Sequence, residues 1–285
     1  MTEVLPENAE SQRAWDGVLF DRFLQFRHLI IALAQHGAVA MRRFPPLAGG
    51  RVVDIGCGFG DSALQLAELV GPSGSVLGVD ISPRFIDLAR TESTMPNVRF
   101  EVMDVQAAPF EDTFDYAFSR FGTMFFASPV AAMRNVRAAL EPSGRLVSVV
   151  WRKREDNPWM YVAEQVVKPL VEIPEETDEA RCGPGPFSMA GADTVSAQLQ
   201  LAGFREVGFT RHDMPIKIGS DLEEAVEFNL ALGPAAEAVR LAGDEGAALR
   251  PKLAGLLREA LAQFETPEGV FADSSVWIVT ARAAE

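Results

Sequence analysis

The feature that most constrains the fold is an alternation of short apolar runs with helical segments between Arg51 and Trp151. Apolar runs predict β-strands over residues 51–55, 76–79, 98–103, 116–118 and 145–151. Segments with helical spacing of apolar residues lie between successive runs. Because parallel strands must be joined by crossover connections, this order predicts a mostly parallel sheet with helices on both faces.

The flanking segments differ from this core. Helical spacing predicts a helix over residues 8–43, which Pro45-Pro46 and Gly49-Gly50 end. A strand over 206–212 and another over 275–280 enclose a mostly helical stretch, and they predict an antiparallel edge. We therefore predict one α/β domain over residues 1–285. It comprises a helical cap (1–50), a core (51–151), an inserted lid (152–192), and C-terminal strands with a helical insertion (193–285).

Charge and cysteine content exclude several classes of protein. The chain has 26 Lys and Arg against 40 Asp and Glu, a formal net charge of −14. Such a balance argues against nucleic acid as a partner, since phosphate contacts need clustered cations. The two cysteines, Cys57 and Cys182, make neither a disulfide framework nor a ligand spacing, so we predict no metal.

The sequence also lacks the usual signs of export or membrane insertion. Its acidic N-terminus has no apolar signal-peptide core. The longest apolar stretch, over residues 29–41, is too short to span a bilayer. We expect a soluble, cytoplasmic protein with no membrane span.

The chemistry is concentrated where the first three predicted strands end. Gly56-Cys57-Gly58-Phe59-Gly60 follows the first strand, Asp80 ends the second and Asp104 ends the third. Glycines let a chain turn sharply and let a ligand lie against the backbone. A carboxylate at the second strand end can accept hydrogen bonds from both hydroxyls of a ribose. Together these positions predict a site for an adenosine-containing ligand.

These motifs resemble the class I S-adenosylmethionine-dependent methyltransferases. The likeness runs from about Asn8 to Trp159 and is strongest at Asp54 to Gly60, at Gly78-Val79-Asp80-Ile81-Ser82 and in residues 114–122. Phe121-Gly122-Thr123-Met124-Phe125-Phe126 and Trp151 resemble the bacterial branch related to ubiquinone and menaquinone biosynthesis. The resemblance implies a Rossmann-like, seven-stranded, mostly parallel sheet whose last two strands form a reversed hairpin. It also implies S-adenosyl-L-methionine as cofactor.

The same resemblance implies roles for particular residues. Glycines 56, 58 and 60 would approach the methionine and ribose of the cofactor, Asp80 would hold the ribose diol, and Asp104 would accept from the adenine amine. The predicted cofactor residues are Asp54, Gly56, Cys57, Gly58, Asp80, Ile81, Asp104, Val105 and Ser119. Cys57 occupies a variable position of the turn and is interpreted as filler rather than nucleophile.

The acceptor side is marked by aromatic residues. The predicted acceptor-lining residues are Trp15, Arg120, Phe121, Trp151 and Trp159. Ligand sites favour aromatic walls with few polar groups, so we expect a small apolar or aromatic methyl acceptor. Arg120 is either a clamp for an acceptor carboxylate or a solvated charge at a strand end. No residue is assigned as catalytic, and His212 is the one weak candidate for a general base.

Two other functions compete with a methyltransferase. A non-catalytic, regulatory protein could keep the cofactor fold without turnover. A nicotinamide-dependent oxidoreductase would have the same type of fold, but the pyrophosphate of its cofactor needs a longer glycine turn than the one found here. The sequence leaves open which atom of which metabolite is methylated, and whether the protein is a homodimer.

Overall fold

The structure is a computed structural model that describes residues 6–173, 181 and 183–284. One sheet of eight strands runs through the centre of the protein that these residues form. The strand order is β3-β2-β1-β4-β5-β8-β6, and the two-residue β7 pairs with β8. The strands are β1 (Arg51–Ile55), β2 (Ser75–Asp80), β3 (Val98–Val102), β4 (Phe114–Arg120), β5 (Leu140–Trp151), β6 (Phe204–Gly219), β7 (Glu265–Thr266) and β8 (Gly269–Ala283). The predicted count of seven misses only β7, which is too short to leave an apolar pattern.

Strand direction follows the prediction. The pairs that join β3, β2, β1, β4 and β5 are all parallel, whereas β8 is antiparallel to both β5 and β6. The chain moves from β1 outward to β3 and then returns to place β4 on the other side of β1. Ligands bind at such a switch point, in the crevice beyond the carboxyl ends of the strands.

Helices cover both faces of the sheet, which is why its central strands are continuous apolar runs. Val53, Ile55, Phe118 and Val149 are fully buried. The helices are α1 (Pro6–Asp16), α2 (Val18–Gln25), α3 (Arg27–Arg43), α4 (Asp61–Val70), α5 (Pro83–Glu92), α6 (Pro129–Ala139), α7 (Pro158–Val167), α8 (Ala192–Leu201), α9 (Leu222–Ala231), α10 (Pro234–Leu241) and α11 (Gly243–Leu261). None of the helices in the described ranges combines the length and apolar character that a bilayer crossing requires.

The N-terminal cap consists of three helices, not the single helix that was predicted. Gly17 and Phe26 both leave helical geometry, with ψ values of −121° and 24°. A side chain at position 17 would also place its Cβ 2.8 Å from the carbonyl oxygen of Arg13. Apolar spacing continues across both breaks, so periodicity alone does not reveal them.

The lid contains helix α7, which packs against α10 and α11 of the C-terminal insertion. That insertion leaves the sheet at the end of β6 and returns at the start of β8. Residues 174–180 and Cys182, part of the predicted lid, lie outside the described residues. The division of the chain into cap, core, lid and insertion stays a prediction in its detailed bounds.

Candidate cofactor and acceptor site

The glycine turn after β1 is held in a conformation that side chains disfavour. Gly56, Gly58 and Gly60 have φ angles of +67°, +52° and +85°. Gly56 also lies directly against Gly122, because a Cβ at position 56 would be 2.9 Å from the Gly122 Cα atom. Around Gly58, by contrast, a Cβ would meet nothing within 4 Å. The turn therefore leaves open space beside its backbone.

Asp80 lies at the end of β2, facing this turn. Its Oδ2 accepts a hydrogen bond from the Gly58 amide and its Oδ1 accepts one from the Ser82 amide, both at 3.0 Å. Burial raises the pKa of the Asp80 carboxyl, and the hydrogen bonds from the backbone amides of Ser82 and Gly58 oppose that rise. The two amides fix the carboxylate in place, ready to accept hydroxyl donors.

Asp104 follows β3 and is buried. Its Oδ1 accepts from the Gln106 amide at 3.0 Å, and its Oδ2 accepts from Asn8 Nδ2 at 2.6 Å. Asn8, on α1, is only 1% exposed, and its Oδ1 is buried without a hydrogen-bond donor among the described residues. The structure thus places Asn8, whose side-chain oxygen has no donor among the described residues, against the carboxylate predicted to bind adenine.

Helix α1 forms a roof over these strand ends. Asn8, Gln12 and Asp16 lie four residues apart along the helix, on one face. Gln12 donates to the Ile81 carbonyl at 2.9 Å, and Asp16 accepts from the Ser82 hydroxyl and the Arg84 amide at 2.8 Å each. Neither Asn8 nor Gln12 was predicted from the sequence, although their spacing on one helix face was a signal that could have been used.

Two predicted cofactor residues lie beneath the turn and do not line the cavity. Asp54 is fully buried and accepts from the Ser62 hydroxyl at 2.6 Å. Burial raises the pKa of Asp54 to about 7. The Ser119 hydroxyl donates to the Ile55 carbonyl at 2.7 Å. Both side chains connect β1 to its neighbours, and their contribution to cofactor binding stays a prediction.

A single cavity of about 650 Å³ joins the strand ends to the cap, lid and insertion. Ligand sites in proteins have volumes of this order. Its cofactor end, at the strand ends, is lined by Gly56, Cys57, Gly58, Asp80, Ile81, Asp104 and Val105. Its aromatic end is lined by Trp15, Phe121, Phe125, Trp151, Trp159 and Phe228. All five predicted acceptor-lining residues lie on the cavity wall.

The aromatic end is built by stacking between distant segments. Phe121, directly after β4, has a φ of +64° and stacks on Trp151 with ring centroids 4.2 Å apart. Trp159 of the lid meets Trp151 edge-on at 6.2 Å and stacks on Phe228 of α9 at 5.6 Å. A positive φ is rare for an aromatic residue, and such strain clusters at functional sites. Phe228 was missed, because α9 has buried apolar residues around much of its circumference.

Arg120 is a buried ion-pair partner in the cavity wall. Its guanidinium contacts both carboxylate oxygens of Asp61, at 2.7 and 3.1 Å, and its side chain is 11% exposed. Burial alone would raise the pKa of Asp61, but the Arg120 charge lowers it below its ordinary value. The alternative of a solvated strand-end charge is therefore wrong.

A second charged group, Glu164 of α7, also lines the aromatic end. Its side chain is 8% exposed and lies 3.0 Å from Arg154 Nε and 3.8 Å from Lys168 Nζ. The sequence analysis missed this residue, which sits in the lid without a recognisable motif. A paired carboxylate of this kind can orient a polar group of an acceptor.

His212, the weak candidate for a base, does not line the cavity. Its ring lies edge-on to buried His36 at 5.3 Å, and His36 in turn contacts Trp151 and Phe121. Ser274 donates its hydroxyl proton to the Met214 carbonyl, so it accepts from His36 Nε2 at 2.8 Å. Burial lowers the pKa of His36 to about 3. His36 is thus a neutral support behind the aromatic wall.

Cys57 lies on the cavity wall, where its thiol is not a reactive group. Burial raises the pKa of its thiol, which keeps it protonated and unreactive. Across the described ranges, no group of three or more His, Cys, Asp or Glu side chains is arranged to hold a metal ion. The described residues that line the cavity include glycines, charged side chains of both signs, and aromatic and aliphatic side chains.

Comparison with known proteins gives this arrangement its class. Residues 52–144 match the family model described as a methyltransferase domain. The demethylmenaquinone methyltransferase of Lactococcus lactis is 32% identical over 127 residues, which cover 42% of this chain and 50% of that protein. Aklanonic acid methyltransferase DauC of Streptomyces is 36% identical over 105 residues, covering 35% of this chain and 48% of that protein. The chain thus spans about half the length of these curated relatives.

A solved structure shares the fold. The YcgJ protein of Bacillus subtilis superimposes with a TM-score of 0.57 at 18% identity, covering 88% of this chain and 99% of that one. The matched segment identifies residues 52–144 as a methyltransferase domain, and the fold and the glycine turn agree with that class. Demethylmenaquinone methyltransferases are among the relatives of this chain. The resemblance to S-adenosylmethionine-dependent methyltransferases stated from the sequence is confirmed, and S-adenosylmethionine is the cofactor of this domain.

The residues present fit that cofactor. The cradle beside Gly58 is open, and any Cβ there would enter the space that a ligand needs. Asp80 and Asp104 each offer a fixed carboxylate on the cavity wall, held by backbone amides.

Proposed function

We propose that the chain transfers the methyl group of S-adenosylmethionine to a small-molecule acceptor and releases S-adenosylhomocysteine. The observation that carries this proposal is the single cavity, whose cofactor end and aromatic end are continuous. Donor and acceptor would therefore meet inside one continuous cavity. The methyltransferase relatives support this activity.

The acceptor that suits this cavity is a small apolar or aromatic molecule. Stacked and edge-on rings of Phe121, Trp151, Trp159 and Phe228 form its walls. Aromatic pairs of this kind favour flat apolar ligands. The Glu164 and Arg154 pair adds one polar position, suited to a hydroxyl or carbonyl on the rim of the acceptor.

When bound, the cofactor supplies a methyl group on a positively charged sulfur, which is already activated as a leaving group. The chain then has to align donor and acceptor and to exclude water. Gly56 and Gly58 let the backbone approach the cofactor, and Asp80 holds the ribose. The Asp61–Arg120 pair closes the wall between the two ends. Described residues of the cap, lid and insertion surround the aromatic end.

The test is methyl transfer measured together with binding. Calorimetry should show micromolar binding of S-adenosylmethionine and S-adenosylhomocysteine and none of NAD(H). S-adenosylhomocysteine release should then respond to members of a panel of phenols, hydroquinones and aromatic acids, and Asp80→Ala should reduce the response at a cofactor concentration that saturates wild type. Binding without turnover on any acceptor would favour the regulatory alternative, and binding of NAD(H) alone would favour the oxidoreductase. The cytoplasmic location and a homodimer stay predictions.

A further inference from the structure

Residues 22–53 differ in charge from the rest of the protein. This stretch, which contains α3 and the loop after it, has none of the 40 Asp and Glu residues and five of the 26 Lys and Arg. It also carries three of the seven large apolar side chains that are exposed among the described residues, namely Leu24, Ile31 and Leu47. Single exposed apolar residues are normal on a protein surface, but here they occur together with an excess of cations.

Helix α3 presents this combination on one of its sides. Ile31, Gln35 and Arg42 are all exposed, and steps of four and seven residues place them on the same side of a helix. Leu33, on the opposite side, lines the cavity. The helix thus has a cavity side and a solvent side.

The end of α3 adds a second cation and the most exposed of the large apolar side chains. Arg43 is exposed, and Leu47, four residues beyond the helix, is 75% exposed. Arg27 of the same helix pairs with Glu92, whereas Arg42 and Arg43 have no carboxylate at ion-pair distance among the described residues. We call this surface the basic face, and it consists of Ile31, Gln35, Arg42, Arg43 and Leu47.

We propose that the basic face docks on a lipid surface that carries anionic head groups. Aliphatic side chains flanked by cations hold a helix in the interfacial layer of a bilayer. Cations attract anionic head groups within a Debye length, about 8 Å at physiological ionic strength, so acidic residues on the other sides of the protein are screened. The net charge of −14 therefore does not prevent docking, and it favours the orientation in which the basic face meets the lipid.

The composition of the basic face favours lipid over a protein partner. Protein interfaces concentrate their binding energy in aromatic and arginine anchors that fill pockets. The basic face has no aromatic residue, and none of its five side chains lines the cavity. A fluid lipid layer needs no matching pocket, since its acyl chains can surround isolated aliphatic side chains.

Docking on this face would place α3 between the lipid and the cavity. Apolar molecules dissolve in lipid, so an apolar methyl acceptor would be concentrated next to the helix whose other side lines the cavity. This consequence rests on the proposed function, whereas the docking itself does not.

The experiment is co-sedimentation of the full chain with vesicles of equimolar phosphatidylglycerol and phosphatidylcholine, compared with phosphatidylcholine alone. Wild type should prefer the anionic vesicles by about 25-fold or more, because each of two cations at an anionic surface contributes a factor of about five. Raising the salt concentration tenfold from about 50 mM should release it. Arg42→Gln combined with Arg43→Gln should remove the preference, and Ile31→Gln and Leu47→Gln should each weaken binding about fivefold.

Two variants elsewhere on the surface are matched controls. Leu201→Gln removes a side chain of α8 that is 66% exposed, and Lys252→Gln removes an exposed cation of α11. Both should bind the anionic vesicles within about twofold of wild type. All variants should bind S-adenosylhomocysteine like wild type in calorimetry, which shows that they are folded.

The outcomes separate this inference from the proposed function. If wild type does not bind the anionic vesicles, or if the variants of the basic face bind them as well as wild type, the docking is wrong whatever the cofactor result. A dimer in sedimentation equilibrium that Ile31→Gln dissociates would assign the face to a second copy of the chain and would equally overturn the inference. Failure to bind S-adenosylhomocysteine would refute the proposed function, and the vesicle result would still decide the docking.

Discussion

Gly56 and Gly122 touch through their backbones, so closely that a Cβ on Gly56 would be 2.9 Å from the Cα atom of Gly122. The first belongs to the turn after β1 and the second follows β4, so this contact joins the two strands at the switch point of the sheet. The contact explains why both positions are glycine. It also distinguishes Gly56 from Gly58, where a side chain would meet only open space.

Gly56→Ala should therefore impair folding and cofactor binding together. The new Cβ has no room, and the φ of +67° adds strain of about 1–2 kcal/mol. Gly58→Ala carries only the strain of its φ of +52°, but its methyl group enters the cofactor end. Urea unfolding and calorimetry with S-adenosylhomocysteine separate the two effects. A Gly58→Ala protein that binds like wild type would contradict the assigned cradle.

Asp80→Ala should weaken S-adenosylhomocysteine binding by about 2–3 kcal/mol, or roughly 30- to 150-fold, because the ribose hydroxyls lose a charged acceptor. The substitution also removes the partner of the Gly58 and Ser82 amides. Asp87→Ala is the matched control, since Asp87 lies on the solvent side of α5 with a side chain 74% exposed. Calorimetry on both variants checks the prediction, and equal affinities would refute the ribose assignment.

Asp61→Asn should destabilise the protein by about 2–3 kcal/mol, because the Arg120 guanidinium keeps its burial and loses its counter-charge. We expect Asp61→Asn combined with Arg120→Met to recover most of that loss. The comparison pair is Arg51 and Glu141, both nearly half exposed. Glu141→Gln should change the free energy of unfolding by less than about 1 kcal/mol. Urea denaturation of all variants at one pH supplies the measurement, and a double variant no more stable than Asp61→Asn would contradict the expectation.

His36 should make the protein sensitive to acid. Its pKa is about 3 in the folded protein, below the ordinary value of 6.5, so the unfolded chain binds a proton that the folded one refuses. The free energy of unfolding is therefore highest above pH 6.5, where His36 is neutral in both states, and it decreases as the pH falls towards 3. At pH 5 the loss amounts to about 2 kcal/mol.

The measurement is the difference between wild type and His36→Gln in the free energy of unfolding at pH 5 and pH 7.5. Taking that difference removes the contributions of other titrating groups to the pH dependence. One of them is Asp54, whose raised pKa of about 7 makes the protein less stable as the pH rises. His28→Gln, which changes an exposed histidine of α3, should keep the wild-type loss. If His36→Gln loses as much stability at pH 5 as wild type, His36 is not the neutral support described here.

The sheet was predictable because burial on both faces leaves a simple signature. β1 has the bounds expected from the sequence, since it is a short apolar run. β6 extends from Phe204 to Gly219, well beyond the predicted 206–212. Its length is set by hydrogen bonding to β8 rather than by apolar character, and pairing partners are not visible in a single sequence.

The residues of the site were likewise predictable only where they follow from the strands themselves. The strand-end positions Asp80 and Asp104 follow from the order of the strands. Asn8, by contrast, meets Asp104 only because α1 docks across the sheet, and that docking depends on contacts between residues 96 positions apart. The helix breaks at Gly17 and Phe26, which sequence periodicity does not show, direct the cap onto the strand ends.

The helical insertion leaves at Gly219 and returns at Val270, and these two residues are paired neighbours across β6 and β8. Its two ends are therefore fixed side by side on the edge of the sheet, far from the glycine turn in the strand order. Changes of length in the helices between those anchors therefore leave the register of β1 to β5 unaffected. The helices of the insertion that wall the aromatic end are thus anchored separately from the strands that form the cofactor end.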